Sequence, residues 1–110
     1  SCDSIGHKFG GSSEEYSKQA WLVNDQLAQH IPFWTEEGYR VLITSDHGFT
    51  DSGNHGGSSD IERWTPYYDI GHPRPGVAKE TVSQLSVAPS ILSLLGLSIP
   101  KNLKGVALDK

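Results

Sequence analysis

Arg40-Val41-Leu42-Ile43-Thr44-Ser45-Asp46-His47-Gly48 is the stretch that decides the fold. Residues 39–44 read as a strand, and their continuous apolar run suits a parallel strand buried on both faces. Asp46-His47-Gly48 follows at the carboxyl end of that strand. Open α/β sheets place their ligands at that end. The stretch therefore predicts a sheet with an Asp–His pair presented at its rim.

Working outward, His55 lies eight residues beyond His47, inside Gly53-Asn54-His55-Gly56-Gly57. Upstream stands Asp3-Ser4-Ile5-Gly6-His7. Asp3, His7, Asp46, His47 and His55 together form a metal-ligand inventory. Borderline divalent ions such as zinc accept imidazole nitrogen and carboxylate oxygen readily. The glycines beside these residues let the backbone turn sharply and approach a bound group closely. Residues 49–60 are rich in glycine and small polar side chains and read as a loop. A long irregular segment of this kind is more often functional than idle.

The remaining elements follow from periodicity and punctuation. Gly10-Gly11-Ser12-Ser13 marks a turn, and Ser12 or Ser13 can cap a helix whose first turn holds Glu14 and Glu15. That helix is predicted over 13–30, with Tyr16, Ala20, Val23, Leu27 and Ile31 as its buried stripe and Trp21 beside it. Pro32 should bend or end it, and Gly38 breaks the chain before the strand. A second strand is expected over 64–70, with Pro66 near its start. A loop over 71–76 carries Pro73 and Pro75. The last helix should begin at Ser83 or Ser86, turn Val87, Ile91, Leu94 and Leu95 inward, and end at Gly96 in the left-handed cap position. A short strand is expected near 106–108.

Composition narrows the function classes. At 110 residues the chain is one domain at most, with a modest core. A net charge of −4 argues against a surface that coats nucleic acid. No apolar run approaches the ~20 residues of a membrane span, so no membrane contact is expected from this segment. No secretory signal is visible. The single Cys2 cannot form an intrachain disulfide and reads as a core residue.

The order of these motifs resembles the alkaline phosphatase superfamily. Its type I phosphodiesterase/nucleotide pyrophosphatase branch is the nearest in pattern. Asp-x-x-Gly-His, a helix, a strand ending in Ser-Asp-His-Gly, and Gly-x-His-Gly-Gly carry the resemblance. Residues 86–100 and Gly105 resemble a segment near the close of many members. The short Asp-His to His55 spacing resembles that of the ethanolamine-phosphate transferases of the superfamily and of many compact bacterial phosphodiesterase-like proteins.

The resemblance implies a partial three-layer αβα sandwich with a mostly parallel sheet, in which helices 13–30 and 86–95 cover the sheet. It implies two divalent ions, zinc first and manganese as the alternative. Asp3, His7 and His55 would hold one, with a strand expected before Asp3 and both Asp3 and His7 offered from its strand-end loop, and Asp46 and His47 would hold the other. It further implies a longer catalytic domain whose N-terminal half supplies another ligand and the nucleophile. Residues 1–110 are thus expected to be the C-terminal part of such a domain, with no catalytic nucleophile of their own. Thr50 and Ser58 lack the strand-to-helix setting of the family's nucleophile. The implied activity is metal-dependent hydrolysis of a small phosphate ester. Transfer of phosphoethanolamine or phosphate to an alcohol is one alternative, and a non-catalytic metal-binding module another. A sheet missing its N-terminal strands should expose an apolar edge and self-associate.

Smaller assignments complete the reading. Asp51 or Asp60 is expected to fix a histidine tautomer through an outward hydrogen bond. His72 is the rival to His55. His30 reads as a helix-end residue, and Tyr16 and Trp64 as core. Lys8, Asn54 and Arg63 read as solvated surface groups.

Overall fold

In the computed structural model, residues 1–74, 76 and 80–108 are described. They fall into two compact units, Ser1–Gly71 and His72–Lys110. Pro75, placed by the sequence in the 71–76 loop, lies outside the described residues.

The first unit opens with helix α1, Cys2–Phe9. The sequence reading put Asp3 after a strand, in a strand-end loop. A helix forms instead because Ser1 caps it: its Oγ accepts the Ser4 N–H at 3.3 Å, and Asp3 complements the dipole in the first turn. The consequence matters for the site. Residues four apart share a helix face, so Asp3 and His7 point the same way.

Helix α2 runs Glu14–Glu36, capped by Ser13, whose Oγ accepts the Tyr16 N–H at 3.1 Å. It passes through Pro32 and extends beyond the expected 13–30. Proline inside a helix costs about 3 kcal/mol. Here Thr35 helps to hold the turn that follows, its hydroxyl donating to the carbonyls of Ile31 at 3.0 Å and Pro32 at 2.9 Å. His30 is therefore inside the helix, stacked on Trp34, rather than at its end. Tyr16, Val23, Leu27 and Ile31 are half-buried as the stripe predicts, whereas Ala20 and Trp21 are exposed.

Strand β1, Val41–Thr44, pairs with β2, Tyr67–Ile70, and the pairing is antiparallel, with Val41 opposite Ile70 and Thr44 opposite Tyr67. This corrects the parallel strand expected from the apolar run. A parallel partner needs a crossover of a dozen or more residues, usually a helix packed across the sheet. Between β1 and β2 the only helix is α3, Asp60–Arg63, a single turn. The register is pinned by Arg40, whose Nε and Nη2 each donate at 2.6 Å to the Asp69 carboxylate. The second strand starts later than the expected residue 64, and Trp64, read as core, is 65% exposed.

The second unit holds a 3₁₀ turn at Gln84–Ser86 and helix α4, Val87–Leu94. Gly96 takes a positive φ of 68° just past its end, as expected. Pro89 and Ser90 are its buried residues, while Ile91 and Leu95, assigned to the inward face, are exposed. No strand forms at 106–108. Instead the Val106 and Leu108 amides donate to the Oγ atoms of Ser86 at 3.2 Å and Ser90 at 2.8 Å. Among the described residues no helix is long and apolar enough to cross a membrane.

Candidate metal centre

The site assembles where α1 meets the loop that follows β1. Gly53 is buried with a φ of 82°, and a Cβ there would lie 2.7 Å from the Gly6 carbonyl and 2.8 Å from that of His7. Only glycine lets the loop close so tightly on α1. The loop itself is tied by Thr50, whose amide donates to the Asn54 carbonyl at 2.9 Å and whose Oγ1 accepts the Asn54 N–H at 3.0 Å. Thr50 thus serves the loop's shape.

Phe49 forms the floor. It is 5% exposed, and it is the one buried large apolar side chain among the described residues. Its ring meets those of His7, His47 and His55 edge-on, at centroid distances of 5.1, 5.2 and 5.3 Å. Tyr16 contacts it from α2 at 5.7 Å. Gly6 makes room for this ring: a Cβ on Gly6 would stand 2.7 to 2.9 Å from three of its atoms. Burial pushes the Tyr16 hydroxyl above its usual range, and the neighbouring Cys2 and Asp3 raise it further.

Three imidazoles converge on one carboxylate. Asp3 Oδ1 lies 3.6 Å from His7 Nε2, 3.7 Å from His47 Nε2 and 3.9 Å from His55 Nε2. The Nε2 atoms of His7 and His55 are 3.2 Å apart. Asp46 stands at the rim, its Oδ2 3.6 Å from His47 Nε2 and its Oδ1 accepting the His47 N–H at 3.1 Å. All five residues singled out in the sequence therefore meet in one place. His47 is as close to Asp3 as to Asp46, so the division into two separate ligand sets is not visible in these distances.

The donor chemistry suits a cation. His7 Nδ1 faces the Gly53 carbonyl and His47 Nδ1 the Gly48 carbonyl, each at 3.0 Å. A carbonyl only accepts, so each Nδ1 carries the proton and each Nε2 keeps its lone pair for the cluster. These backbone carbonyls do what Asp51 or Asp60 was expected to do. Tetrahedral zinc with bonds of about 2.0–2.1 Å has ligand atoms about 3.3–3.4 Å apart. The His7–His55 separation of 3.2 Å is close to that spacing, and the separations from Asp3, 3.6 to 3.9 Å, are wider than it. Asp3, His47 and His55 each offer an atom within 4.8 Å of the others.

Other assignments resolve locally. His72 belongs to the second unit, where its Nδ1 accepts the Arg74 N–H at 2.9 Å. Lys8 Nζ lies 5.0 Å over the Phe9 ring, and Asn54 Nδ2 donates to Ser52 at 3.2 Å. Two residues were missed. Phe49 was absorbed into a polar loop, although a large aromatic directly after Asp-His-Gly signals a buried anchor. Glu62 was not singled out. The Ser59 hydroxyl and the Gly57 amide hold its carboxyl below the usual carboxylate range, with a smaller contribution from His55.

The profile of the type I phosphodiesterase / nucleotide pyrophosphatase family matches residues 1–90. The chain belongs to that family. The match spans all five clustered residues, and the resemblance to the alkaline phosphatase superfamily is borne out. Among the relatives of this phosphodiesterase-family chain is GPI ethanolamine phosphate transferase 3, catalytic subunit, of Homo sapiens. It is 31% identical over 89% of the chain and 9% of its own length. GPI ethanolamine phosphate transferase 2 of Kluyveromyces lactis is 31% identical over 98% of the chain and 16% of its length. The Candida albicans protein of the same name is 32% identical over 94% and 13%. The chain thus spans less than a fifth of these relatives. No solved structure gives a significant match.

Proposed function

We propose that this chain is the metal-binding part of a phosphoester-transferring enzyme with an alkaline phosphatase-like catalytic domain. Asp3, His7, Asp46, His47 and His55 are its ligands for divalent ions, zinc first. The observation that carries this reading is the single carboxylate oxygen, Asp3 Oδ1, with three imidazole Nε2 atoms 3.6 to 3.9 Å from it. The three rings pack against Phe49, while their Nε2 atoms turn towards the one carboxylate oxygen as ligand atoms would.

Ions held by these residues would supply positive charge at the phosphoryl oxygens and lower the pKa of an attacking oxygen. The chain's own residues prepare for that chemistry. The carbonyls of Gly53 and Gly48 fix the protons of His7 and His47 on Nδ1. Phe49 closes the floor of the cluster, and α1 holds Asp3 and His7 on one face. The attacking group comes from the rest of the longer protein.

Transfer to an alcohol is favoured over hydrolysis, because the relatives bear the name of ethanolamine phosphate transferases. The hydrolase remains the second reading, supported by the phosphodiesterase family description. The two separate by product partition. The complete protein, given a phosphodiester donor and a graded alcohol acceptor, should release transfer product in proportion to acceptor. Release of the phosphate monoester alone, indifferent to acceptor, would establish the hydrolase.

A further inference from the structure

His47 and His55 lie face to face, with ring centroids 3.6 Å apart and planes 14° from parallel. Aromatic rings left to themselves avoid that arrangement, because their negative faces repel, and prefer offset or edge-on contacts. Something in the backbone must impose it. The two residues belong to different parts of the loop, and β1 fixes only the first of them.

Glu62 is bonded next to both, to Gly48 and to Gly57. Its backbone carbonyl accepts the N–H of Gly48, the residue after His47, at 2.8 Å. Its Oε1 accepts the N–H of Gly57, two residues after His55, at 2.9 Å. Its Oε2 accepts the Ser59 hydroxyl. Gly57 is suited to this approach: a Cβ there would lie 2.6 Å from Oε2. The turn of α3 is short enough that the main chain and side chain of one residue reach both histidine segments.

We propose that Glu62 is a positioning residue that sets the stacked register of His47 and His55. Its carboxyl oxygens are engaged by Gly57 and Ser59. It joins the Asp46-His47-Gly48 turn to the His55-Gly56-Gly57 turn, so that both Nε2 atoms face Asp3. This deepens the proposed metal centre and rests on that reading for its consequence, though the register itself can be measured without metal.

The test uses the 110-residue chain with Glu62→Ala and Glu62→Gln. In the metal-free chain, proton NMR should show the His47 and His55 ring protons shifted upfield by mutual stacking. Glu62→Ala should return them towards unstacked positions while the Tyr16 and Phe49 resonances keep theirs. Glu62→Gln retains an amide oxygen for Gly57 and should keep most of the shift. Zinc affinity, read by competition with a chromogenic chelator, should fall roughly 10–100-fold in Glu62→Ala, and Glu62→Gln should recover most of it. Unchanged histidine shifts in folded Glu62→Ala would overturn the proposal, whatever zinc does. If Glu62→Ala fails to fold, the Glu62→Gln shifts decide, and upfield shifts that vanish with loss of the Tyr16 and Phe49 positions too would reduce Glu62 to a general structural residue. Failure of the unaltered chain to bind zinc would refute the ligand reading alone, and the ring shifts would still decide the role of Glu62.

Discussion

Gly6→Ala sets two effects of opposite sign against each other at the floor of the site. Gly6 lies inside α1, where alanine should stabilise a helix by about 0.5–1 kcal/mol. The structure says that packing wins. The new Cβ would stand 2.7, 2.8 and 2.9 Å from Phe49 ring atoms, well inside van der Waals contact. The ring has little room to yield, because it is buried and meets three histidines and Tyr16 edge-on. Overpacking of this kind costs about 1–3 kcal/mol. The net is a destabilisation of up to about 2.5 kcal/mol, or a melting temperature lower by up to roughly 20 °C at about 4–8 °C per kcal/mol. Zinc affinity should fall as well, since a displaced Phe49 moves the rings above it. Urea unfolding and chelator competition measure the two. Phe49→Leu added to Gly6→Ala should relieve part of the stability loss by returning volume. A Gly6→Ala chain that melts higher and binds zinc unchanged would refute the account of how α1 meets the loop.

Three further outcomes are expected. Asp69→Ala should cost about 1–3 kcal/mol in urea unfolding, because the Arg40–Asp69 pair is doubly hydrogen-bonded and mostly shielded, with side chains 21% and 15% exposed. A loss under about 0.5 kcal/mol would class it with ordinary surface pairs. The Glu62 carboxyl is held below its ordinary value of 4.5, so its contribution to stability is present above that pH and lost as pH falls through the lower, folded value. Glu62→Gln should remove that acid-side component from a series of melts. Finally, the isolated chain should turn over almost no bis-p-nitrophenyl phosphate in zinc or manganese, while the complete protein should, and robust turnover by the chain would require a nucleophile among these residues.

What could be read from the sequence divides along a physical line. The site was legible because ligand chemistry is local: Asp-His-Gly after an apolar run and Asp-x-x-Gly-His each name their own atoms. The glycines at 6 and 53 are expected from the sequence to approach a bound group; in the structure Gly6 makes room for the Phe49 ring and Gly53 lets the loop close on α1. The fold was less legible. The apolar strand 41–44 was misleading on both counts: its residues are half-buried or exposed rather than buried on both faces, and its partner is antiparallel, a direction that follows from the lack of a crossover helix and from Arg40 reaching Asp69. The helix at Cys2–Phe9 was hidden because a strand was assumed to precede Asp3, although Ser1 is a serviceable cap. Pro32 was given its usual weight as a terminator, and the helix continued through it. Phe49 and Glu62 act through contacts distant in sequence or by joining two loops; the aromatic directly after Asp-His-Gly signals the first, and nothing at position 62 announces the second.

Zinc titration of the 110-residue chain tests the central claim most directly. The account expects one high-affinity ion per chain, with affinity reduced at least about tenfold by Asp3→Ala and by His55→Ala in proteins that remain folded by circular dichroism. His72→Ala should leave it unchanged. Absence of saturable zinc binding, or a loss on His72→Ala as large as that on His55→Ala, would contradict the site built on Asp3.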